Sequence, residues 1–285
     1  MISISGHSGC RLDILHKKNK PVLRKSSFSK EYSPRLANQA AKQAMFEPTS
    51  HIISPNILAS GYQSEKYWFE MDYIHGYDFF SFVERAGPKE LDHFWNSLKS
   101  LLLKQMLESR LLPYPREKFV DKSKAVSAGI KTRDKTIDEA LSYINNFSTD
   151  KKILIGPCHG DLTFSNMVVS KDFLKIYLID FLDSFCSTPI QDVVKIRQDT
   201  VHKWTLRKCT GTFDTVKVDL ALRYLDQKVV SFINSNAVIS HFYKLVQLMS
   251  LLRILVYTAD ENTYNYLIKC LEYELQNEFN TAHCR

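Results

Sequence analysis

Short apolar runs at 2–4, 10–15 and 21–25 are separated by a glycine turn (Gly6, Gly9) and a polar turn at 16–20, which predicts three consecutive strands. Residues 33–46 switch to helical spacing. Leu36, Ala40, Ala44 and Met45 share a face, behind Ser33 as the expected N-cap and Pro34 as the first helical position. The aromatic and apolar run 67–74 reads as a further strand ending in a turn at His75-Gly76. To this point the pattern describes a small, sheet-rich lobe with one helix.

From Pro88 the period becomes helical. A long amphipathic stretch over 88–112 is stopped by Pro113 and Pro115, and a second covers 135–147. The polar, basic segment 116–133 between them reads as a loop or short helix. Strand character returns at 153–155, 167–169 and 175–179, the last two joined by a turn at Ser170-Lys171-Asp172. Helical segments near 190–201, 214–235, 237–258 and 262–279 follow. The expected fold class is α+β: a small antiparallel-sheet lobe, then a larger and mainly helical one.

A chain of 285 residues suffices for one large domain or two lobes and can fold without disulfides or metal. With 44% hydrophobic and 24% charged residues it is globular in composition, which excludes a collagen-like repeat and a disulfide scaffold. The most apolar stretch, 245–257, is broken by Gln247, Ser250 and Arg253, so it reads as a buried helix and not a membrane span. Residues 1–6 lack the features of a secretion signal and the six cysteines form no C-x-x-C, so reduced thiols and a cytoplasmic location are expected. The net charge of +7 suits a basic solvated surface or attraction to an anionic ligand such as a nucleotide. Its basic residues never form one long block, which disfavours a dedicated nucleic-acid binder.

The most informative string is Cys158-His-Gly-Asp161-Leu-Thr-Phe-Ser-Asn166, followed by Ile179-Asp180-Phe-Leu-Asp183. Asp161 and Asn166 fall on one loop between short strands, and the following hairpin returns Asp180 to the same mouth. Phosphoryl transfer asks for such a set. One carboxylate orients and deprotonates the attacking hydroxyl, while an amide and a second carboxylate hold magnesium against the phosphates. Because the chemistry is mostly positioning and charge neutralisation, few side chains suffice if their spacing is tight.

This stretch resembles the Brenner motif of the aminoglycoside phosphotransferase and choline kinase superfamily, itself similar to protein kinases, in which the loop reads H-G-D-x-x-x-x-N and the next motif I-D. The resemblance implies a bilobal protein-kinase-like fold with ATP in the cleft, Asp161 as catalytic base, and Asn166 and Asp180 as magnesium ligands. It implies a nucleotide-binding lobe at 1–71, a hinge at 72–76, and a helical lobe at 77–285 carrying the catalytic loop and substrate site.

Matches in the first lobe come in the family's order. Ser5-Gly6-His7-Ser8-Gly9 stands where the family has its phosphate-covering loop, so Gly6, Ser8 and Gly9 are expected to meet phosphate oxygens; the full G-x-G-x-x-G is absent, and a plain hairpin turn fits as well. Val22-Leu-Arg24-Lys25 resembles the strand whose basic residue pairs the α- and β-phosphates. Strand neighbours point to opposite faces, so only one of Arg24 and Lys25 faces the nucleotide. The protein-kinase V-A-I-K pattern selects Lys25, which is preferred; the phosphotransferase version, with serines close behind, selects Arg24. Where the next helix of the family offers a glutamate to that cation, this chain has Gln39. Either a hydrogen bond replaces the ion pair, or a nearby acid such as Glu47 substitutes. The stretch from Phe69 to Gly76 resembles the hinge, in which the Asp72 carbonyl and the Ile74 N–H bind adenine and Met71 lines the pocket.

Asp183 is either a substrate or second-metal residue or a turn cap, and Asp192 resembles a structural acid opening the next helix. No H-x-x-H or H-E-x-x-H marks a zinc site. Adjacent in a strand-like segment, Cys158 and His159 diverge, which disfavours a thiol nucleophile; His159 is expected to anchor the loop.

The expected activity is ATP- and magnesium-dependent transfer of the γ-phosphoryl to a hydroxyl of a small molecule such as a sugar, sugar derivative or amino alcohol. H-G-D in place of H-R-D, and the lack of A-P-E, point away from the alternative of a protein kinase. The positive charge favours a neutral or anionic acceptor, such as a sugar or sugar phosphate destined for a surface polysaccharide, over the cationic aminoglycosides and choline. A further alternative is a catalytically weak, kinase-like nucleotide-binding or interaction module, suggested by Gln39 and the short glycine loop.

Overall fold

A computed structural model describes residues 2–5, 10–17, 19–207, 209 and 211–277. The expected phosphate loop, with Gly6, Ser8 and Gly9, lies outside the described residues. In chain order the first elements are β1 (Ile2–Ser5), β2 (Cys10–Lys17), β3 (Lys20–Ser27), α1 (Ser33–Ala44), β4 (Ile52–Ile53), β5 (Ile57–Gln63), β6 (Lys66–Asp72) and β7 (Gly76–Tyr77). Next come α2 (Phe79–Arg85), α3 (Pro88–Glu108), β8 (Arg110–Pro113), α4 (Arg116–Gly129), α5 (Lys135–Asn146), β9 (Lys152–Ile155), β10 (Met167–Ser170) and β11 (Ile176–Leu178). The chain continues with α6 (Pro189–Thr200), α7 (Trp204–Arg207), α8 (Thr215–Asn234), α9 (Ala237–Leu255) and α10 (Glu261–Gln276). The mixture is α+β, with an antiparallel sheet early in the chain and helices dominating the rest.

The chain divides into two compact units, one of residues 1–101, 159–183 and 210–221, the other of 102–158, 184–209 and 222–285. In the first unit an antiparallel sheet runs β1-β2-β3-β6-β5. Helix α1 covers one face, where Cys10, Leu36, Ala40, Phe69 and Met71 form a closed apolar core. Pro34 sits in the first turn as expected, but Ser33 is not the cap: Tyr32 takes that position without a side-chain bond. The Ser33 hydroxyl instead accepts the Tyr67 N–H at 3.0 Å and donates to the Ser29 carbonyl, tying the helix start to β6.

A second sheet in this unit runs β4-β11-β10-β7, with β4 parallel to β11. It carries the loop of interest at the start of β10. Beneath that loop Phe79, Phe82, Phe94, Phe164 and Phe173 pack ring to ring, with Phe79 stacked on Phe164 at 4.1 Å. Burial of these rings is the main apolar force holding the loop's 3-10 turn, Phe164–Asn166, in place.

The second unit pairs β8 with β9 and packs helices around α6, every residue of which is buried. Three of its polar residues find partners inside the unit: Gln105 donates to Asp192 at 2.8 Å, Thr200 to Asp226 at 2.7 Å, and Arg197 to the Tyr243 hydroxyl at 3.0 Å. Helix α9 is long and apolar enough to cross a bilayer, yet 67% of its apolar window is buried inside the structure, as expected of a core helix. The loop or short helix expected over 116–133 is the full helix α4, and the helix expected to reach 112 ends at Glu108, where β8 begins.

Candidate active site

Register in the first sheet separates the two candidate cations. Lys25 pairs across from Phe69 and Arg24 from Glu70, so their side chains leave on opposite faces. Arg24 is engaged with Glu70 through two bonds, at 2.6 and 3.0 Å, and lies over the Trp68 ring at 4.3 Å. Lys17 also donates to Glu70; burial opposes its charge, but the hydrogen bonds from Lys17 and Arg24 win and hold its carboxyl below the usual range.

Lys25 is buried, only 2% exposed, and its ammonium meets the Asp180 carboxylate at 2.7 Å and the Gln39 carbonyl oxygen at 3.2 Å. The departure at position 39 is therefore met by a hydrogen bond, and the carboxylate on this cation comes from Asp180. One turn beyond Gln39 on α1, Lys42 donates to the Leu182 carbonyl. Sequence reading passed over Lys42; its only signal was its place three residues after Gln39, on the same helix face.

The loop from His159 to Asn166 is bound internally at almost every step. His159 is buried; its Nε2 lies 2.9 Å from the Ile179 carbonyl and its Nδ1 accepts the Asp161 N–H at 3.3 Å, as the neutral Nε2–H tautomer allows. Gly160 has φ +90°, and a Cβ there would run into the Leu182 carbonyl oxygen, so the position demands glycine twice over. Leu182 N–H in turn donates to the His159 carbonyl at 3.0 Å.

Asn166 donates from Nδ2 to both the Asp161 carbonyl, at 2.8 Å, and the Asp161 carboxylate, at 3.0 Å. Both amide hydrogens are thus spent on Asp161, which leaves Oδ1 as the acceptor of that side chain. The Asn166 carbonyl accepts the Ile179 N–H at 3.0 Å, placing Asp180 one residue from that bond. Asp180 itself has φ +60°, a left-handed backbone that aspartate tolerates better than most residues but at some cost in strain. Lys25 with Asp180 and Asn166 with Asp161 are therefore two bonded pairs, brought close along the chain by the Ile179 N–H to Asn166 carbonyl bond next to Asp180.

Among the described residues no three His, Cys, Asp or Glu side chains form a metal cage. The donors present, one amide oxygen and one carboxylate, suit a hard cation that fills its other positions with water and phosphate oxygens. The hinge candidates Asp72 and Ile74 line a cavity of about 1270 Å³ with Val22 and Ile57; Lys25 and Asp180 are not part of its wall. The Asp72 carboxylate accepts from Asn56 Nδ2 at 2.8 Å. Asp183 is exposed at the unit's edge, and Asp192 is fully buried against Gln105.

This architecture is found in solved structures. An aminoglycoside phosphotransferase, APH(4)-Ia, in ternary complex with AMP-PNP and hygromycin B, superposes with a TM-score of 0.61 at 10% identity, covering 100% of this chain and 94% of its own. The chain has the aminoglycoside phosphotransferase fold. The APH(2")-type enzyme bound to GDP and kanamycin gives a TM-score of 0.59 at 14% identity, covering 96% of this chain and 92% of that one. A putative fructosamine-3-kinase from Haemophilus somnus gives 0.58 at 12% identity, covering 97% and 92%. No protein-family model and no curated protein matches the sequence.

Proposed function

We propose that the chain is an ATP- and magnesium-dependent phosphotransferase that moves the γ-phosphoryl to a hydroxyl of a small molecule, a sugar, sugar derivative or amino alcohol. The observation that carries this reading is that the pairs Lys25–Asp180 and Asn166–Asp161 lie in a single unit, so that a cation, a carboxylate for the base role and two oxygen donors for a metal are at hand. Neighbours of the same fold that hold AMP-PNP or GDP beside a small-molecule acceptor support it.

In this reading residues 1–71 are the nucleotide lobe, 72–76 the hinge and 77–285 the acceptor lobe. Lys25 takes the α- and β-phosphates, with Gln39 holding its ammonium in place. Asn166 Oδ1 and the Asp180 carboxylate hold magnesium, which when bound neutralises charge on the phosphates. Asp161 orients the acceptor hydroxyl and accepts its proton, and the two bonds from Asn166 keep that carboxylate aimed. Gly6, Ser8 and Gly9 cover the phosphates, and the backbone of Asp72 and Ile74 receives the adenine.

The test is a phosphoacceptor screen with labelled ATP over sugars, amino alcohols, nucleosides and aminoglycosides. Transfer to one class, abolished in Asp161→Asn, supports the proposal; ATP binding without transfer to any acceptor favours the second reading, a nucleotide-binding module without turnover. Gln39 is the observation on that side, since an amide cannot neutralise Lys25.

A further inference from the structure

A lysine in the last turn of a helix needs no distant partner, because the helix's own carbonyl end attracts it. Lys42 sits in that turn of α1, half-buried, yet its ammonium donates to the Leu182 carbonyl, 140 residues further along the chain. Its neighbours on the inner side of the helix stay closer to home. Gln39 accepts from Lys25, and Gln43 donates to the Pro55 carbonyl at 2.9 Å. Lys42 thus joins α1 directly to the segment 159–183, which carries Asp161 and Asp180, and all of these residues belong to the first unit.

The place it reaches is where the backbones leading to those two acids cross. A Cβ on Gly160 would run into the Leu182 carbonyl oxygen, and Lys42 Nζ lies 3.3 Å from the position that Cβ would take. Gly160 directly precedes Asp161, and Leu182 follows Asp180 by two residues. Two further bonds close the crossing, from the Leu182 N–H to the His159 carbonyl at 3.0 Å and between the His159 ring and the Ile179 carbonyl at 2.9 Å. Between them Asp180 keeps a left-handed φ of +60°, a backbone that persists only where its surroundings hold it. The ammonium on the Leu182 carbonyl is a charge-assisted bond, the stronger kind.

We propose that Lys42 is a positioning residue: by pinning the Leu182 carbonyl over Gly160 it fixes the turn at Asp180, and with it the carboxylate assigned to magnesium, against the loop that carries Asp161. The kinetic consequence rests on the phosphotransfer reading; the pinning of the turn does not. A carboxylate on a well-fixed turn holds its cation more tightly, and removing such support typically costs about 10–100-fold in metal affinity or activity. The placing of α1 is therefore felt at the candidate metal ligand by two routes, through Gln39 and Lys25 to the Asp180 side chain and through Lys42 to the backbone beyond it.

Hydrogen exchange at the Leu182 N–H and the magnesium dependence of turnover test this in the full chain, with Lys42→Met, Lys42→Gln, Lys42→Arg and Arg35→Gln beside the parent. Arg35 is an exposed cation on the same helix, set over the Tyr32 ring, and serves as the charge-matched control. In Lys42→Met and Lys42→Gln the Leu182 amide is expected to exchange at least about tenfold faster, while the Ile176 amide, bonded to the His51 carbonyl at 2.8 Å, keeps its rate. The magnesium concentration for half-maximal rate rises about tenfold, and KM for the acceptor moves by less than about twofold. Lys42→Arg keeps charge and donor and returns both readouts to within about threefold of the parent, which Arg35→Gln matches. Unfolding midpoints confirm that each variant is folded. Parent-like exchange at Leu182 in both neutral variants, an equal shift in Arg35→Gln, or faster exchange with an unchanged magnesium requirement in an active chain overturns the proposal. Faster exchange at Leu182 in a chain that transfers no phosphoryl group supports the pinning and contradicts the enzyme reading alone.

Discussion

Lys25 Nζ lies 2.7 Å from Asp180 Oδ1, although 155 residues separate them in the chain. The pair brings the sheet that holds the cation and the hairpin that holds the carboxylate to one point. On the proposed function it is also the ion pair that a nucleotide divides, phosphates to the lysine and metal to the aspartate.

If the proposed roles hold, Lys25→Met and Asp180→Asn lower turnover by about 10²-fold or more, since each removes a charge assigned to the phosphates or their metal. Asp183→Asn, at an exposed position three residues on, is expected to cost far less. Steady-state kinetics of the three variants at saturating ATP separate them, and equal losses at 180 and 183 would refute the ranking.

Asp161→Asn keeps the size of the side chain but removes the proposed base. Turnover should fall by about 10²–10⁴-fold while magnesium-dependent ATP affinity stays near that of the parent. A variant that loses nucleotide affinity in parallel would place Asp161 in binding and not in proton transfer.

Gly160→Ala meets two obstacles, the left-handed φ of +90° and the Leu182 carbonyl. The expected cost is on the order of 3 kcal/mol, read as a lowered urea midpoint at unchanged slope. An unchanged midpoint would mean that the loop does not adopt this backbone in solution.

His202 supplies a pH dependence of stability. It is buried, which by itself lowers its pKa, but hydrogen bonds to Cys270 and to Glu274 at 2.7 Å more than offset this and push it up to about 9 from 6.5. With the folded value above the unfolded one, the group's contribution is complete below pH 6.5 and is lost as pH rises through about 9. The loss is on the order of 3 kcal/mol across that window, and His202→Gln should flatten the alkaline fall of the unfolding free energy.

Much of the site was legible because its motif is local. The string from His159 to Asn166 and the hairpin to Asp180 name their own loop, and strand alternation already said that Arg24 and Lys25 part ways. Which of the two meets Asp180 was not legible, since it depends on Glu70, a distant residue that takes Arg24 to the other face. Strand β5 went unseen because its half-exposed run, Ile57–Gln63, contains Gly61 and lacks a clean apolar face. Helix α4 was expected only as a loop or short helix because its buried stripe is thin, Phe119 and Val126 with a serine between them. Local pattern cannot report a helix stabilised mainly by what lies across from it.

The measurement that bears most directly on the central claim is phosphorus NMR of ATP and magnesium incubated with the chain and a mixed acceptor pool, parent beside Asp161→Asn. The account predicts an acceptor-dependent phosphomonoester resonance growing with ADP in the parent and missing in the variant, with ATP bound equally by both. A parent that binds ATP yet yields no phosphomonoester from any acceptor, or a variant that matches the parent, would contradict it.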